Sequence, residues 1–293
     1  MKIRAFIYII LAGIFWGTSP LFSAYLRGFG FDSLQMTAIR AAVTAVVLGL
    51  YLVIFERRLF KVKPKELLLL ALVGISFLGT ATCYFFAMEK TSAATAVVLM
   101  YIAPIIVMIY SVLFFGEKFT RLKLVSVISM VVGCVLVAGI IGGFTFDAVG
   151  LLIGVASGIL YSAYNILTKI AMRRGNNPIS TTFYAFLAAA VVGVAICNPV
   201  DAVSHVSTSV LGTLPMMVLM GVVTCVAPYF LYTTAMRDLS AGTASSLGIV
   251  EPMAATVFSA IFLSEIPDAF QIVGIILILG AVALLGKVEG KNE

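Results

Sequence analysis

Apolar stretches of about 20 residues follow one another along almost the whole chain, and short connections carrying charges, glycines and prolines separate them. An α-helix needs about 20 apolar residues to cross the hydrocarbon core of a bilayer. The pattern predicts ten such helices, at residues 5–26, 35–55, 66–88, 92–115, 122–141, 148–170, 179–197, 211–235, 243–263 and 268–286. We therefore expect an all-α integral membrane protein with ten transmembrane helices.

The composition agrees with this pattern and leaves no room for a soluble domain. Of the 293 residues, 62% are hydrophobic and 11% are charged, whereas soluble domains carry about 25% charged residues. The net charge is +6, but the basic residues do not gather into one patch of the kind that binds nucleic acid. We expect the lipid bilayer to surround this chain and expect no nucleic acid as a partner.

The chain contains an internal duplication. Three residue types recur at a constant offset of 148 positions, as Ala93, Pro104 and Glu117 and then as Ala241, Pro252 and Glu265. The offset predicts two halves, residues 1–143 and 144–293, with five helices each. Because five is odd, the second half is expected to insert upside down relative to the first. Inverted repeats of this kind are typical of secondary transporters and place a binding site where the halves meet.

The distribution of basic residues predicts the orientation. If the N-terminus lies in the cytoplasm, sixteen Lys and Arg residues fall on the cytoplasmic side and three, Arg27, Arg40 and Lys90, fall on the other side. This bias is typical of membrane proteins, whose cytoplasmic connections are enriched in Lys and Arg. It predicts a multi-pass protein of the cytoplasmic (inner) membrane with both termini in the cytoplasm.

Short motifs in both halves, taken in order, resemble the EamA family of the drug/metabolite transporter superfamily. The motifs are Gly13-Ile14-Phe15-Trp16-Gly17, Arg40, Thr91-Ser92-Ala93, Pro104, Gly116-Glu117, Ser240-Ala241, Glu251-Pro252 and Leu263-Ser264-Glu265. The resemblance covers essentially the whole chain. It implies export of small metabolites, often amino acids or amphipathic drugs, and leaves the substrate open because relatives differ widely in it.

Polar and aromatic side chains recur along one face of the first helix of each half. The first face holds Trp16, Ser19, Pro20 and Ser23, and a shift of 145 positions gives Tyr161, Tyr164, Asn165 and Thr168. Hydrogen-bonded helix contacts would explain the small hydroxyl residues. The bulky rings of Trp16, Tyr161 and Tyr164 prevent close helix approach, which favours the lining of a cavity.

Further aromatic residues and three prolines extend this prediction. The predicted substrate-binding residues are Trp16, Tyr84, Tyr101, Tyr161, Tyr164, Asn165 and Tyr232. A proline inside a helix removes one backbone donor and frees a carbonyl group. Pro104, Pro228 and Pro252 are therefore candidate hinges, with a static kink as the alternative at each position.

Two ionisable residues stand inside apolar segments. Glu251 is the only carboxylate deep in a predicted helix, and burial there would favour its protonated form. It is a candidate for proton coupling, for pairing with an amine of the substrate, or for a structural hydrogen bond to a carbonyl freed by Pro252, near Gly248. Arg40 is expected to have a structural role, with its side chain reaching towards the outer surface, or to bind a substrate carboxylate.

These features predict a secondary transporter that exports a small organic metabolite, such as an amino acid or an amphipathic or aromatic compound, by alternating access. An importer, an exchanger or a broad drug exporter of the same fold is the alternative, since a sequence does not record the direction of flux. An integral-membrane enzyme is the remote alternative, because the thirteen acidic residues are dispersed and show no metal-ligand spacing.

The energy source and the partners follow from the same features. The sequence has no Gly-x-x-x-x-Gly-Lys-Ser/Thr string that would bind a nucleotide, so an ion gradient or a solute gradient is expected to drive transport. We expect no catalytic residue, no cofactor and no metal. The expected partners are a small-molecule substrate, the bilayer and, as a candidate coupling ion, the proton; the chain is expected to act as a monomer or a homodimer.

Overall fold

The structure is a computed structural model that describes residues 2–117, 120–139, 147–264 and 266–290. The predicted boundary between the halves, at residues 143 and 144, lies outside the described residues, and so does Glu265. Within the described ranges the secondary structure is entirely helical, without a strand.

Fifteen α-helices follow one another along the described chain. They are α1 (Lys2–Trp16), α2 (Ser19–Arg27), α3 (Ser33–Phe55), α4 (Pro64–Lys90), α5 (Ala93–Met100), α6 (Ala103–Phe114), α7 (Arg121–Val137), α8 (Ala148–Arg173), α9 (Pro178–Ile196), α10 (Pro199–Thr208), α11 (Val210–Gly221), α12 (Ala227–Ala235), α13 (Ala241–Leu247), α14 (Val250–Phe262) and α15 (Ala269–Gly290). A short 3₁₀-helix covers Arg57–Phe60, and a π-helical turn covers Val222–Val226 between α11 and α12.

Nine segments of the described chain are long and apolar enough to cross a membrane. Four of them combine two helices, namely α1 with α2, α5 with α6, α11 with α12, and α13 with α14. The remaining predicted helix, the fifth at residues 122–141, corresponds to α7, which has 17 residues. The prediction of an all-helical membrane protein with ten helical spans is confirmed.

A proline explains each interruption of a span. The proline ring clashes with the carbonyl group four residues earlier, and α1 and α5 end at Trp16 and Met100, four residues before Pro20 and Pro104. The break after α13 includes Gly248, four residues before Pro252. The π-helical turn likewise contains the residue four positions before Pro228. The chain therefore restarts a helix close to each of these prolines.

Pro104, Pro228 and Pro252 each lie in the first turn of an α-helix, after a break or after the π-helical turn. Their role as hinges stays a prediction. The polar face predicted for the first span is not continuous, since Trp16 ends α1 and Ser19 begins α2. That prediction needs one unbroken helix, and Pro20 prevents it.

The first span of each half packs against the helix break in the other half. A Cβ atom on Gly17 would lie 2.5 Å from the Cβ of Ala254 in α14. In the other half, a Cβ atom on Gly158 of α8 would lie 2.6 Å from the carbonyl oxygen of Leu99, beside the break between α5 and α6. Glycine is needed at these crossings because the two backbones approach so closely.

The two ends of the helix bundle differ in charge. One end, called the basic end here, is defined by Arg57, Arg58, Lys61, Lys63, Arg173 and Arg174. It is held together by an ion pair between Arg174 Nη1 and Glu66 Oε1 at 3.2 Å, and by Arg173 over the Phe115 ring at 4.9 Å. At the opposite end, Gln35 Nε2 donates to Asp201 Oδ2 at 2.8 Å.

The Gly158 crossing can be tested by adding a side chain. We expect Gly158→Val to destabilise the protein by about 1–3 kcal/mol, because the nearest atom is a backbone carbonyl oxygen that cannot move away cheaply. The measurement is the thermal unfolding midpoint of the purified protein in detergent. Gly280→Val is the matched control, since a Cβ atom there meets nothing within 4 Å; equal midpoints for the two variants would contradict the assignment.

Candidate functional site

A cluster of aromatic rings occupies the middle of the bundle where the two halves meet. Trp16 of α1 lies with its ring centroid 5.0 Å from Tyr229 and 5.3 Å from Tyr232, both in α12. Tyr229 also contacts Phe186 of α9 at 4.8 Å and Phe77 of α4 at 5.3 Å. The rings of four different spans therefore converge on Tyr229.

A second line of tyrosines leads from this cluster to the break in the fourth span. Tyr164 lies 5.8 Å from Tyr229, and Tyr161 lies 6.3 Å from Tyr164. Tyr101, which follows α5 directly at the break, lies 6.3 Å from Tyr161. The ring contacts thus form a continuous series from Trp16 in the first span to Tyr101 at the break in the fourth span. Between these two residues of the first half lie Tyr229, Tyr164 and Tyr161 of the second half.

Asn165 fixes one member of this series. The hydroxyl of Tyr232 donates a hydrogen bond to Asn165 Oδ1, and Asn165 Nδ2 donates to the backbone carbonyl oxygen of Tyr161, four residues earlier in the same helix, at 2.7 Å. Asn165 and Tyr232 are both fully buried. Asn165 therefore orients the Tyr232 hydroxyl of α12, while its amide nitrogen is held by the backbone of α8.

The two helix breaks are joined by one hydrogen bond. The Tyr101 hydroxyl donates to Glu251 Oε2 at 3.0 Å, and the Gly248 carbonyl oxygen lies 3.4 Å from the same hydroxyl. Glu251 stands in the first turn of α14, immediately after the break in the ninth span. The side-chain donor near the Gly248 carbonyl is therefore Tyr101, and the three candidate roles of Glu251 stay predictions.

Several groups of the site keep accessible surface or an unused donor. Glu251, Tyr161 and Tyr229 are half-buried although they lie in the middle of their spans. Trp16 is 4% exposed, and its Nε1 is buried without a hydrogen-bond partner among the described residues. A buried donor is normally satisfied, so Trp16 Nε1 is available to an acceptor that enters the site.

Arg40 does not behave as a simple surface charge. Its side chain is half-buried, Nη2 lies 3.4 Å from Thr37 Oγ1, and Nε is buried without a hydrogen-bond partner among the described residues. An arginine donor left open inside a span is a candidate contact for an anionic group.

The remaining predicted residues lie at different positions. Tyr84 is half-buried, and its ring packs 5.2 Å from Phe85. Pro104 and Pro252 border the two breaks, and Pro228 follows the π-helical turn beside Tyr229. Whether any of these residues binds a substrate stays a prediction.

Sequence reasoning missed Tyr229, the centre of the aromatic cluster. Tyr229 lies three residues before the predicted Tyr232 in α12, and both rings contact Trp16. Residues three apart share one face of an α-helix. The spacing from Tyr232 was therefore the available signal.

Comparison with known proteins identifies the family. The sequence model of the EamA-like transporter family matches the chain twice, at residues 3–139 and 148–287. The chain belongs to the EamA-like transporter family. The resemblance based on short motifs is confirmed, and the two matches show that the family fold is repeated within the chain.

Individual relatives agree with this assignment. An uncharacterized transporter of Clostridium kluyveri is 26% identical over 289 residues, covering 94% of this chain and 91% of the relative. The pseudopaline exporter CntI of Pseudomonas aeruginosa is 28% identical over 213 residues, covering 71% and 70%. One crystal structure, at 18% identity, superposes with a TM-score of 0.80 over 99% of this chain and 98% of that one, which shows a shared fold.

The bond between the two breaks can be measured in this EamA-like protein. We expect Tyr101→Phe and Glu251→Leu to interact in a double-mutant cycle by about 1–2 kcal/mol of unfolding free energy, as hydrogen bonds to carboxyl groups do. Leucine is chosen because glutamine would keep an acceptor oxygen for the Tyr101 hydroxyl. The measurement is SDS titration of each variant in mixed micelles. Tyr110→Phe is the control, since the described part of the chain shows only ring contacts for Tyr110; additive effects of Tyr101→Phe and Glu251→Leu would show that the bond is absent.

Proposed function

We propose that the protein is a secondary transporter of the cytoplasmic membrane that exports a small organic metabolite by alternating access. The observation that carries the proposal is the meeting of two helix breaks in the middle of the bundle, joined by the bond between Tyr101 and Glu251. Broken helices leave polar backbone inside the membrane, which is tolerated where it is buried in protein or lines a water-filled space. Membrane transporters place their substrate sites at such breaks.

The aromatic cluster supports a substrate with an apolar or aromatic body. The rings of Trp16, Tyr161, Tyr164, Tyr229 and Tyr232 offer a large apolar surface with few polar groups. An amino acid fits if its charges find partners, and Arg40 and Glu251 supply one cation and one anion inside the spans. The unused Nε1 donor of Trp16 would then select a substrate with an acceptor atom beside its apolar part.

Glu251 is the residue we propose for coupling. It is the carboxylate at the ninth-span break, and its bond to Tyr101 ties the two halves together. A proton or a substrate amine that binds Glu251 would compete with this bond and so favour separation of the two breaks. The proton is therefore the proposed coupling ion, and pairing with a substrate amine is the alternative role.

The direction of transport and the orientation of the chain in the membrane are proposed from separate observations. A relative in the same family, CntI, is named as an exporter, which favours export over import for the same geometry. The excess of Lys and Arg favours a cytoplasmic location for the basic end and for both termini. The odd number of spans in each half then favours an inverted relation between them.

Comparing released metabolites tests the function even while the substrate is unidentified. Cells expressing the wild-type chain are expected to release at least one compound above the empty-vector level, and Glu251→Gln is expected to abolish most of that release. The measurement is the metabolite content of the medium, with membrane expression checked for both proteins. Equal release from all three cultures would contradict export from the host's own pool, and uptake would be tested next.

Truncating the aromatic rings tests the location of the site. We expect Trp16→Ala and Tyr161→Ala each to lower transport about tenfold or more without lowering membrane expression, because each removes a large contact surface at the centre. Tyr51→Ala is the control, since this tyrosine is 40% exposed on the outside of α3. Unchanged transport in both central variants would assign those rings to packing alone.

A further inference from the structure

Two buried lysines converge on one connection at the basic end. Lys169 of α8 donates through Nζ to the carbonyl oxygens of Met236 and Leu239, at 2.7 Å and 2.6 Å. Both carbonyls belong to the connection 236–240, which joins α12 to α13. Lys169 is 9% exposed, so its charge is compensated mainly by these carbonyl groups.

The first half holds the same connection from the other side. Lys123 of α7 donates through Nζ to Ser240 Oγ at 2.8 Å, and it forms an ion pair with Glu117 at 3.7 Å. Glu117 in turn accepts a hydrogen bond from the backbone amide of Ala241 at 3.1 Å. Glu117 therefore binds the N-terminal end of α13, a helix that belongs to the other half.

The helix behind this connection closes the basic end. All seven residues of α13 are buried. In α14, which is the other part of the same span, only Val250 and Ala254 are buried, and in α2 only Leu26 is buried. α13, next to the connection, is therefore more closely packed than α14 and α2, which lie towards the opposite end.

The lysines have no counterparts at the equivalent positions of the opposite end. The shift of 148 residues places Gln271 where Lys123 stands, and Gln271 Nε2 donates to the carbonyl oxygen of Val137 at 3.2 Å instead. The shift of 145 residues places Ala24 where Lys169 stands. Although the two halves share the fold, these lysine contacts are therefore made at the basic end and not at the equivalent positions of the opposite end.

From these contacts we infer that Lys123, Lys169 and Glu117 form a latch that keeps the central site closed to the cytoplasm. The inference rests on the proposed alternating-access function and on the cytoplasmic location of the basic end. A buried cation that loses its carbonyl partners is left poorly solvated, which makes release of the connection 236–240 unfavourable. Loading from the cytoplasm requires the connection and α13 to move away from α6 and α7, so the latch sets how often the site opens to that side.

The experiment measures the distance across the latch. Spin labels are attached at Arg121→Cys and Arg237→Cys, two exposed positions on either side, in a full-length chain whose four native cysteines are replaced by alanine. Electron paramagnetic resonance in nanodiscs then gives the distance distribution. Lys169→Met is expected to increase the population with longer distances several-fold over the unsubstituted background. Lys63→Met, which removes an exposed lysine at the same end, is the matched control and is expected to leave the distribution unchanged.

Each result supports or overturns the latch. An unchanged distribution in Lys169→Met, or an equal change in Lys63→Met, would overturn it. Lys123→Met is the second test variant, because it removes a different contact to the same connection. If neither variant gives folded, monodisperse protein, the two lysines are needed for folding, and the latch is overturned as well. The labels report the distance without any substrate, so a failure of metabolite release would be seen separately.

Discussion

The structure depends on the hydrogen bond between Tyr101 and Glu251, because it joins two interrupted helices in the middle of the membrane. Polar backbone and a carboxyl group are costly in hydrocarbon unless each finds a partner. The prolines that cause the breaks recur in the two halves, so two irregular segments arise from one duplicated sequence feature. Where the two segments meet, Tyr101 of one segment supplies a hydrogen-bond donor, and Glu251 of the other supplies the acceptor.

This meeting requires close packing elsewhere. Glycines at positions 13, 17, 154 and 158 allow the first span of each half to lie directly against the broken span of the other half. The aromatic side chains then fill the space that the irregular segments create, with Tyr229 in contact with rings from four other spans. The glycine crossings therefore form the edge of the site, and the aromatic side chains form its centre, where contacts between rings can be replaced by contacts with a ligand.

Hydropathy was sufficient to predict the spans, and short motifs taken in order were sufficient to predict the family. The positions of the breaks also follow from the sequence, because a proline disturbs the helix four residues before it. The contacts of the site were less predictable. Tyr229 could have been found from its spacing to Tyr232 on the same face of α12, whereas Lys169 was counted among the charges of the cytoplasmic side although it is buried. Such contacts depend on how the helices cross, which residue spacing along one helix does not contain.

The central claim is that a transported compound binds among these rings, and the single tryptophan of the chain allows a direct test. The fluorescence of Trp16, excited selectively in purified wild-type protein, is recorded while the released compound is added. The account predicts a saturable change in intensity or emission wavelength, because Trp16 lies in the aromatic cluster with an unused Nε1 donor. Saturable binding of the compound, shown by calorimetry, without any change in the Trp16 signal would contradict this location of the site.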